Sequence, residues 1–256
     1  MNMQATIADI MAVEMSHHLK NGEVAIMGAY SAIPMMACRL AQLTHAPDLT
    51  FIAGGSGAVN PKLRPLVASS CDWKLNTAES VLSLSDVIDL EARPEIDVFF
   101  AGGLQIDKFG NCNLVCVGDW ANPKLRGPGT VGLPFLSRAG RCVIYTNSHN
   151  KRLFVDKVDF MSGPGFLDGV SYGRRKPIGA GPSLVVTPLC TFGFGKERTM
   201  KLRTLHPGIA LQQVIENTGF ALTPPATLPQ TPMPSGEELE LLVKIDPAGI
   251  ARNSIR

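Results

Sequence analysis

Between Thr6 and Lys20 the apolar residues Ile7, Ile10, Met11, Met15 and Leu19 recur three to four positions apart, the spacing that lines one face of a helix. Asn21-Gly22 follows as a stop, so an amphipathic helix is expected over 6–20. The pattern then changes to a short unbroken apolar run, "EVAIMGA", read as a buried strand ending on Gly28. Pro34 is placed to sit in the first turn of a second helix running through Arg39 to Thr44, where its missing N–H breaks no intrahelical bond. "DLTFIAGGSG" is the next strand. Helix, strand, helix, strand, with glycine at the strand ends, is the order of a sheet covered by helices.

Further along, Ser80 to Ala92 reads as a helix, "IDVFFAGGLQ" as one continuous apolar strand and "RCVIYT" as another. Such runs fit a sheet buried on both faces. "RLFVDKVDF" alternates around Phe154, Val158 and Phe160, and "SLVVTPL" and "MKLRTL" add strands, so the second half is richer in β structure. "LQQVIENTG" reads as a short helix closed by Gly219; a proline-rich connector over 223–235 precedes a last helix over 236–246. The fold class expected is α/β: an open, mainly parallel or mixed sheet covered by helices, with 1–256 forming a single domain.

Composition narrows the partners more than the fold. With 24 Lys and Arg against 22 Asp and Glu, the net charge is +2, and no long basic run marks a nucleic-acid or anionic-membrane surface. No apolar stretch has the length of a membrane span, and the N-terminus lacks signal-peptide order, so a cytoplasmic protein is expected. Six cysteines, Cys38, Cys71, Cys112, Cys116, Cys142 and Cys190, form no CxxC pair and have no histidine at zinc-ligand spacing. Buried free thiols and no metal site are expected.

Candidate chemistry gathers in four glycine-bearing loops: "AGGSGA" (53–58), "AGGLQIDKFGNCN" (101–113), "RGPGTVGLP" (126–134) and "MSGPGFLDG" (161–169). Together they suggest a ligand groove lined by backbone amides, since open α/β sheets hold ligands at the carboxyl ends of their strands. None matches GxGxxG or GxxxxGK[ST], which disfavours a nucleotide fold. Nor is there a GxSxG elbow, and Ser56 has no histidine near it in sequence, so a serine nucleophile is disfavoured too. His17 and His18 read as solvated, and His45, His149 and His206 as structural residues beside turns. In "LQIDKFGNCN", Gln105, Asp107 and Asn111 punctuate an apolar strand and its turn, and the last two suit side-chain bonds to that turn's backbone.

"GGLQIDKFGNCN" followed by "VGDWANPKLRGPGTVGLP" resembles the B subunit of family I CoA-transferases, above all the glutaconate CoA-transferase type. "HNKRLFVDKVDFMSGPGFLDG" and "LRTLHPGIALQQVIENTGF" resemble its C-terminal half, so the likeness runs through most of the chain in the family's order. It implies a partner A subunit, in a heterodimer or heterotetramer, and acyl-CoA substrates, with coenzyme A entering as part of the substrate and no covalently bound cofactor. Substrate and CoA binding is expected from Gly54, Gly55, Ser56, Gly57, Gln105, Asp107, Asn111, Gly129, Thr130 and Gly132. Amides around 129–132 would polarise a thioester or enolate oxygen, although Val131-Gly132 replaces the family's double glycine.

One departure matters most. Active transferases of this family carry a nucleophilic glutamate on the strand similar to "FIAGGSG", and here that position falls on Ala53 or Gly54. Neither side chain is a nucleophile, and no catalytic residue of this chain is assigned. The sequence is similar in parts to family members that lack the glutamate, the steroid-ring CoA hydrolase and 3-methylglutaconyl-CoA decarboxylase B subunits. The expected activity is therefore carbon-carbon bond hydrolysis or decarboxylation of a CoA thioester. The alternatives are a CoA-transferase with a relocated nucleophile and a catalytically silent subunit.

Overall fold

The computed structural model describes residues 4–170 and 179–255, which gather into two compact units, 4–100 with 232–255 and 101–170 with 179–231.

The first unit opens with α1 (Ile7–His17), capped by Thr6, whose side chain and Asp9 form a reciprocal capping box. An amphipathic helix was the expectation, but every residue from Ala8 to Ser16 is buried. One polar member of that face is paired inside: Arg252 donates to Asp9 from its Nε at 3.1 Å and reaches it with Nη2 at 3.1 Å. Strand β1 (Val24–Met27) leads to α2 (Ala32–Leu43), where Pro34 does lie in the first turn, and α2 packs on α1. Strand β2 (Thr50–Ala53) is parallel to β1, and β3 (Ala58–Val59) returns antiparallel to β2.

The helix expected from Ser80 begins late. Ser80–Val81 forms β4 against β3, and only Leu84–Ala92 is helical (α3), with Ser83 and Asp86 as its capping box. Strand β5 (Val98–Ala101) pairs parallel to β1. C-terminal helix α5 (Gly236–Ile245), numbered after the second unit's α4, is capped by Ser235 and tied to α1 by a 2.6 Å contact between Glu238 Oε1 and His17 Nε2.

The second unit is richer in strands, as the alternation implied. "IDVFFAGGLQ" is broken at Gly102: Gln105–Asp107 is a separate strand, β6, flanked by β7 (Cys112–Asn113) and β11 (Phe154–Val155) in a three-stranded sheet. Strands β8 (Cys116–Gly118) and β9 (Pro123–Arg126) form a hairpin. The largest sheet portion here is β14 (Met200–Leu205), β13 (Cys190–Phe194), β12 (Pro182–Val186) and β10 (Arg141–Tyr145), parallel only between β10 and β12. The sheets are thus mixed. Helix α4 (Leu211–Asn217) ends at Thr218 and not on a left-handed glycine; Gly219 instead donates to Phe154 O at 2.8 Å. Part of the proline-rich connector lies along β14, where Thr231 N donates to Leu205 O at 2.7 Å.

Candidate functional site

In the first unit the chemistry-bearing stretch is the turn Gly54 to Gly57, at the carboxyl end of β2. Ser56 N and Gly57 N both donate to Ala53 O, at 3.0 and 2.9 Å, and Gly57 completes the reversal at φ +72°. Its glycine is required twice, by that positive φ and because a Cβ would collide with Leu82 O. Ser56 Oγ donates to Ala53 O and accepts from Ala58 N, both at 3.3 Å. It closes the turn with the bonds a nucleophile would need free. Ala53 is fully buried, and a Cβ on Gly54 would lie 2.8 Å from the Met27 carbonyl oxygen.

A residue that the pattern left unmarked holds this turn in place. Ser70, fully buried, accepts from Gly55 N at 3.1 Å and donates to Gly28 O at 2.8 Å, while its own N–H donates to Ala29 O at 2.7 Å. The ends of β1 and β2 are thereby clasped by one hydroxyl. Beside it Cys71 is exposed, contrary to the expectation of six buried thiols; the other five are buried. Tyr30 and Trp73, 81% and 75% exposed, flank the same segments in sequence. The carboxylates next along the chain are engaged elsewhere: Asp72 caps Lys74 N at 2.9 Å, and Glu79 accepts from Asn60 Nδ2 at 2.9 Å.

The second unit holds the "QID" segment in a different way. Asn111 Nδ2 donates to both oxygens of Asp107, at 3.1 and 2.9 Å, and to Leu167 O at 2.8 Å, while its Oδ1 accepts from Gly165 N and Leu167 N. Asp107 also accepts from Phe109 N and Asn111 N. Burial pushes the Asp107 carboxyl up, and the hydrogen bonds from Asn111 and the loop backbone pull against that. Both side chains are thus committed to building the loop. Gln105 is equally occupied: Oε1 accepts from Asn113 Nδ2 and Asp159 N, and Nε2 donates to Asp159 Oδ2 at 2.9 Å. Asn113 and Asp159 were missed in the sequence because each is one polar residue among many, while its partner lies 8 or 54 positions away. A cleft of about 600 Å³ opens beside this frame, lined by Lys108, Phe109, Asp156, Asp159 and Met161 among others, with Lys108 Nζ 2.7 Å from Asp156 Oδ1.

In the loop 129–132, Gly129 stands at φ +107° and Val131 at +51°, with the Val131 side chain 65% exposed. Among the described residues no acceptor takes the N–H groups of Gly129, Thr130, Val131 or Gly132. They are backbone donors of the kind an anionic oxygen uses. The buried histidines of this unit are structural: His149 lies between Thr187 Oγ1 (2.9 Å) and Thr218 Oγ1 (3.0 Å), and His206 between Thr231 Oγ1 and Thr187 O (2.8 Å each). Burial lowers each to about 4. Among the described residues no group of side chains could hold a metal ion, and no helix is long and apolar enough to cross a membrane.

Against known proteins, the family described as Coenzyme A transferase matches residues 8–217. The chain is 34% identical over 238 residues to the B subunit of 3-oxoadipate CoA-transferase from Pseudomonas knackmussii, covering 91% of this chain and 90% of that one. It is 28% identical to the cholesterol ring-cleaving hydrolase IpdB subunit of Rhodococcus jostii, covering 96% and 95%. Among solved structures, glutaconate coenzyme A-transferase from Acidaminococcus fermentans superposes with a TM-score of 0.85 at 27% identity, covering 96% of each chain.

Proposed function

This chain belongs to the coenzyme A transferase family, and we propose that it is the B subunit of a heteromeric enzyme that cleaves a carbon-carbon bond in a CoA thioester, by hydrolysis or decarboxylation. The observation that carries this reading is the turn after β2. It bears no carboxylate, and at Gly54 a side chain would press on the Met27 carbonyl oxygen. A transfer through an enzyme-bound CoA ester needs a nucleophilic side chain at the reacting carbonyl. Cleavage next to a β-oxo or vinylogous carbonyl does not, because the substrate itself delocalises the carbanion.

In this reading an A subunit completes the enzyme and supplies the general base. Coenzyme A arrives as part of the substrate, and no cofactor is held covalently. The N–H groups of 129–132 suit an anionic oxygen of the substrate. Gln105, Asp107 and Asn111 position the second unit's loop. A cytoplasmic location belongs to the same reading, since acyl-CoA is the substrate.

The 34% identity to a 3-oxoadipate CoA-transferase subunit favours a second reading, transfer with a nucleophile from another position or from the A subunit. One experiment separates the two. The complex with its A subunit is given an acyl-CoA and labelled acetate, succinate or glutaconate. Label entering the CoA-ester pool overturns the cleavage reading. Its absence with every acceptor, while calorimetry reports acyl-CoA binding, supports it.

A further inference from the structure

The turn has a second obstruction, of a different kind. At Gly54 and Gly57 an added Cβ meets main-chain oxygens, Met27 O and Leu82 O, which cannot swing away. At Gly55, which is exposed, the two nearest atoms are side-chain atoms: it would overlap Cys71 Sγ and lie 2.7 Å from Ser70 Oγ, with Cys71 N next at 3.1 Å. Position 55 is thus the one glycine of the turn from which a side chain can emerge, provided its two neighbours give way. Ser70 is fixed by its bonds to Gly55 N, Gly28 O and Ala29 O. The thiol of Cys71 is the part that a single substitution removes without breaking any of those bonds.

We infer that Ser70 and Cys71 determine the reaction type of this chain: together they occupy the space of a side chain at position 55 and so bar a nucleophilic carboxylate from the end of β2. The inference rests on the cleavage reading above and adds to it the residues that enforce it. On this inference a bound thioester presents its carbonyl to position 55, and a glutamate introduced there reaches it once the thiol is gone and Ser70 Oγ, 2.7 Å from the added Cβ, yields by a few tenths of an ångström. The step it would then perform is balanced. The carboxylate attacks the thioester carbonyl and expels CoA as a thiolate, leaving a mixed anhydride; the CoA thiolate attacks the glutamyl carbonyl, giving a glutamyl-CoA thioester and the free acid.

Two measurements test this on the complex with its A subunit. The first is a mutant cycle of Gly55→Ala and Cys71→Ala read by thermal unfolding. Overpacking predicts that Gly55→Ala lowers the midpoint by roughly 5 °C with the thiol present and by less than half as much without it. Equal losses in the two backgrounds overturn the steric role of Cys71. The second compares Gly55→Glu with Gly55→Glu/Cys71→Ala after incubation with an acyl-CoA, by intact mass of this chain. A CoA adduct on the double variant, at least tenfold above the single, is expected. Equal adducts on both, or none on either while both bind acyl-CoA, overturn the inference. If the unaltered complex itself moves label from a carboxylic acid into CoA esters, the cleavage reading fails instead, and the mutant cycle still reports on the packing.

Discussion

Val131 is at odds with its own backbone. A β-branched side chain at φ +51° crowds its carbonyl, at about 1–2 kcal/mol for the left-handed region. With the side chain largely exposed, little packing offsets this. Val131→Gly should therefore raise stability by about 0.5–1 kcal/mol after the extra freedom of the unfolded chain is subtracted, measured as a higher urea midpoint; a lower midpoint would mean that the side chain is packed against something that outweighs the strain. Glu91 is a second such residue. It is 6% exposed on α3, and burial pushes its carboxyl up to about 7. Its folded value lies above its unfolded one, so its favourable contribution is complete below about pH 4.5 and is lost as pH rises through 7. Glu91→Gln should stabilise the protein by roughly 2 kcal/mol at pH 8 and change little at pH 4; unfolding curves at the two pH values give the comparison.

At the scale of elements, the loop between β6 and β7 depends on one side chain. Asn111 fills the acceptor and donor capacity of its amide with Asp107, Gly165 and Leu167. Truncation to alanine leaves a buried carboxylate and the N–H groups of Gly165 and Leu167 without that partner, at about 3 kcal/mol. Asn111→Ala should lower stability by that much and loosen the loop together with 165–167, seen as faster amide exchange in both segments. Helix α5 offers a smaller test. Ser235→Ala removes the cap on Glu238 N and should cost about 1 kcal/mol, read from the thermal midpoint. Ser83 with Asp86 forms the same kind of capping box on α3, and it marks the start that the sequence reading from Ser80 placed too early. Short strands were less legible. β7, β8, β9 and β13 escaped because runs of two to five residues carry too few periods to count.

For the molecule as a whole, pH reads the second unit's polar core. His149 and His206 share Thr187, one through its hydroxyl and the other through its carbonyl, and each is held near 4 by burial. Their folded values lie below the ordinary 6.5, so the stability they confer is complete above pH 6.5 and is lost as pH falls through 4. By pH 5 each should have lost about 2 kcal/mol. Denaturant unfolding at pH 7 and pH 5, made in the Glu91→Gln background so that the opposite trend of that carboxyl is absent, measures the sum; a difference under about 1 kcal/mol would contradict it.

The sequence alone determined the opening order α1, β1, α2, β2, the glycine turn after "TFIA", and, through "QIDKFGN" and "LHPG", the family likeness. Those features are local or collinear: periodicity, caps and motif order need no knowledge of the fold. The absence of a carboxylate at Ala53 and Gly54 was equally plain. Only tertiary structure decided what surrounds the rest of that turn. Ser70 and Cys71 reach the turn from 15 and 16 residues beyond Gly55, and nothing in their own neighbourhood of the chain marks them. It also decided that Asp107, Asn111 and Gln105 spend their hydrogen bonds on the protein itself, because a polar side chain's partners are set by burial and by which distant segments close around it.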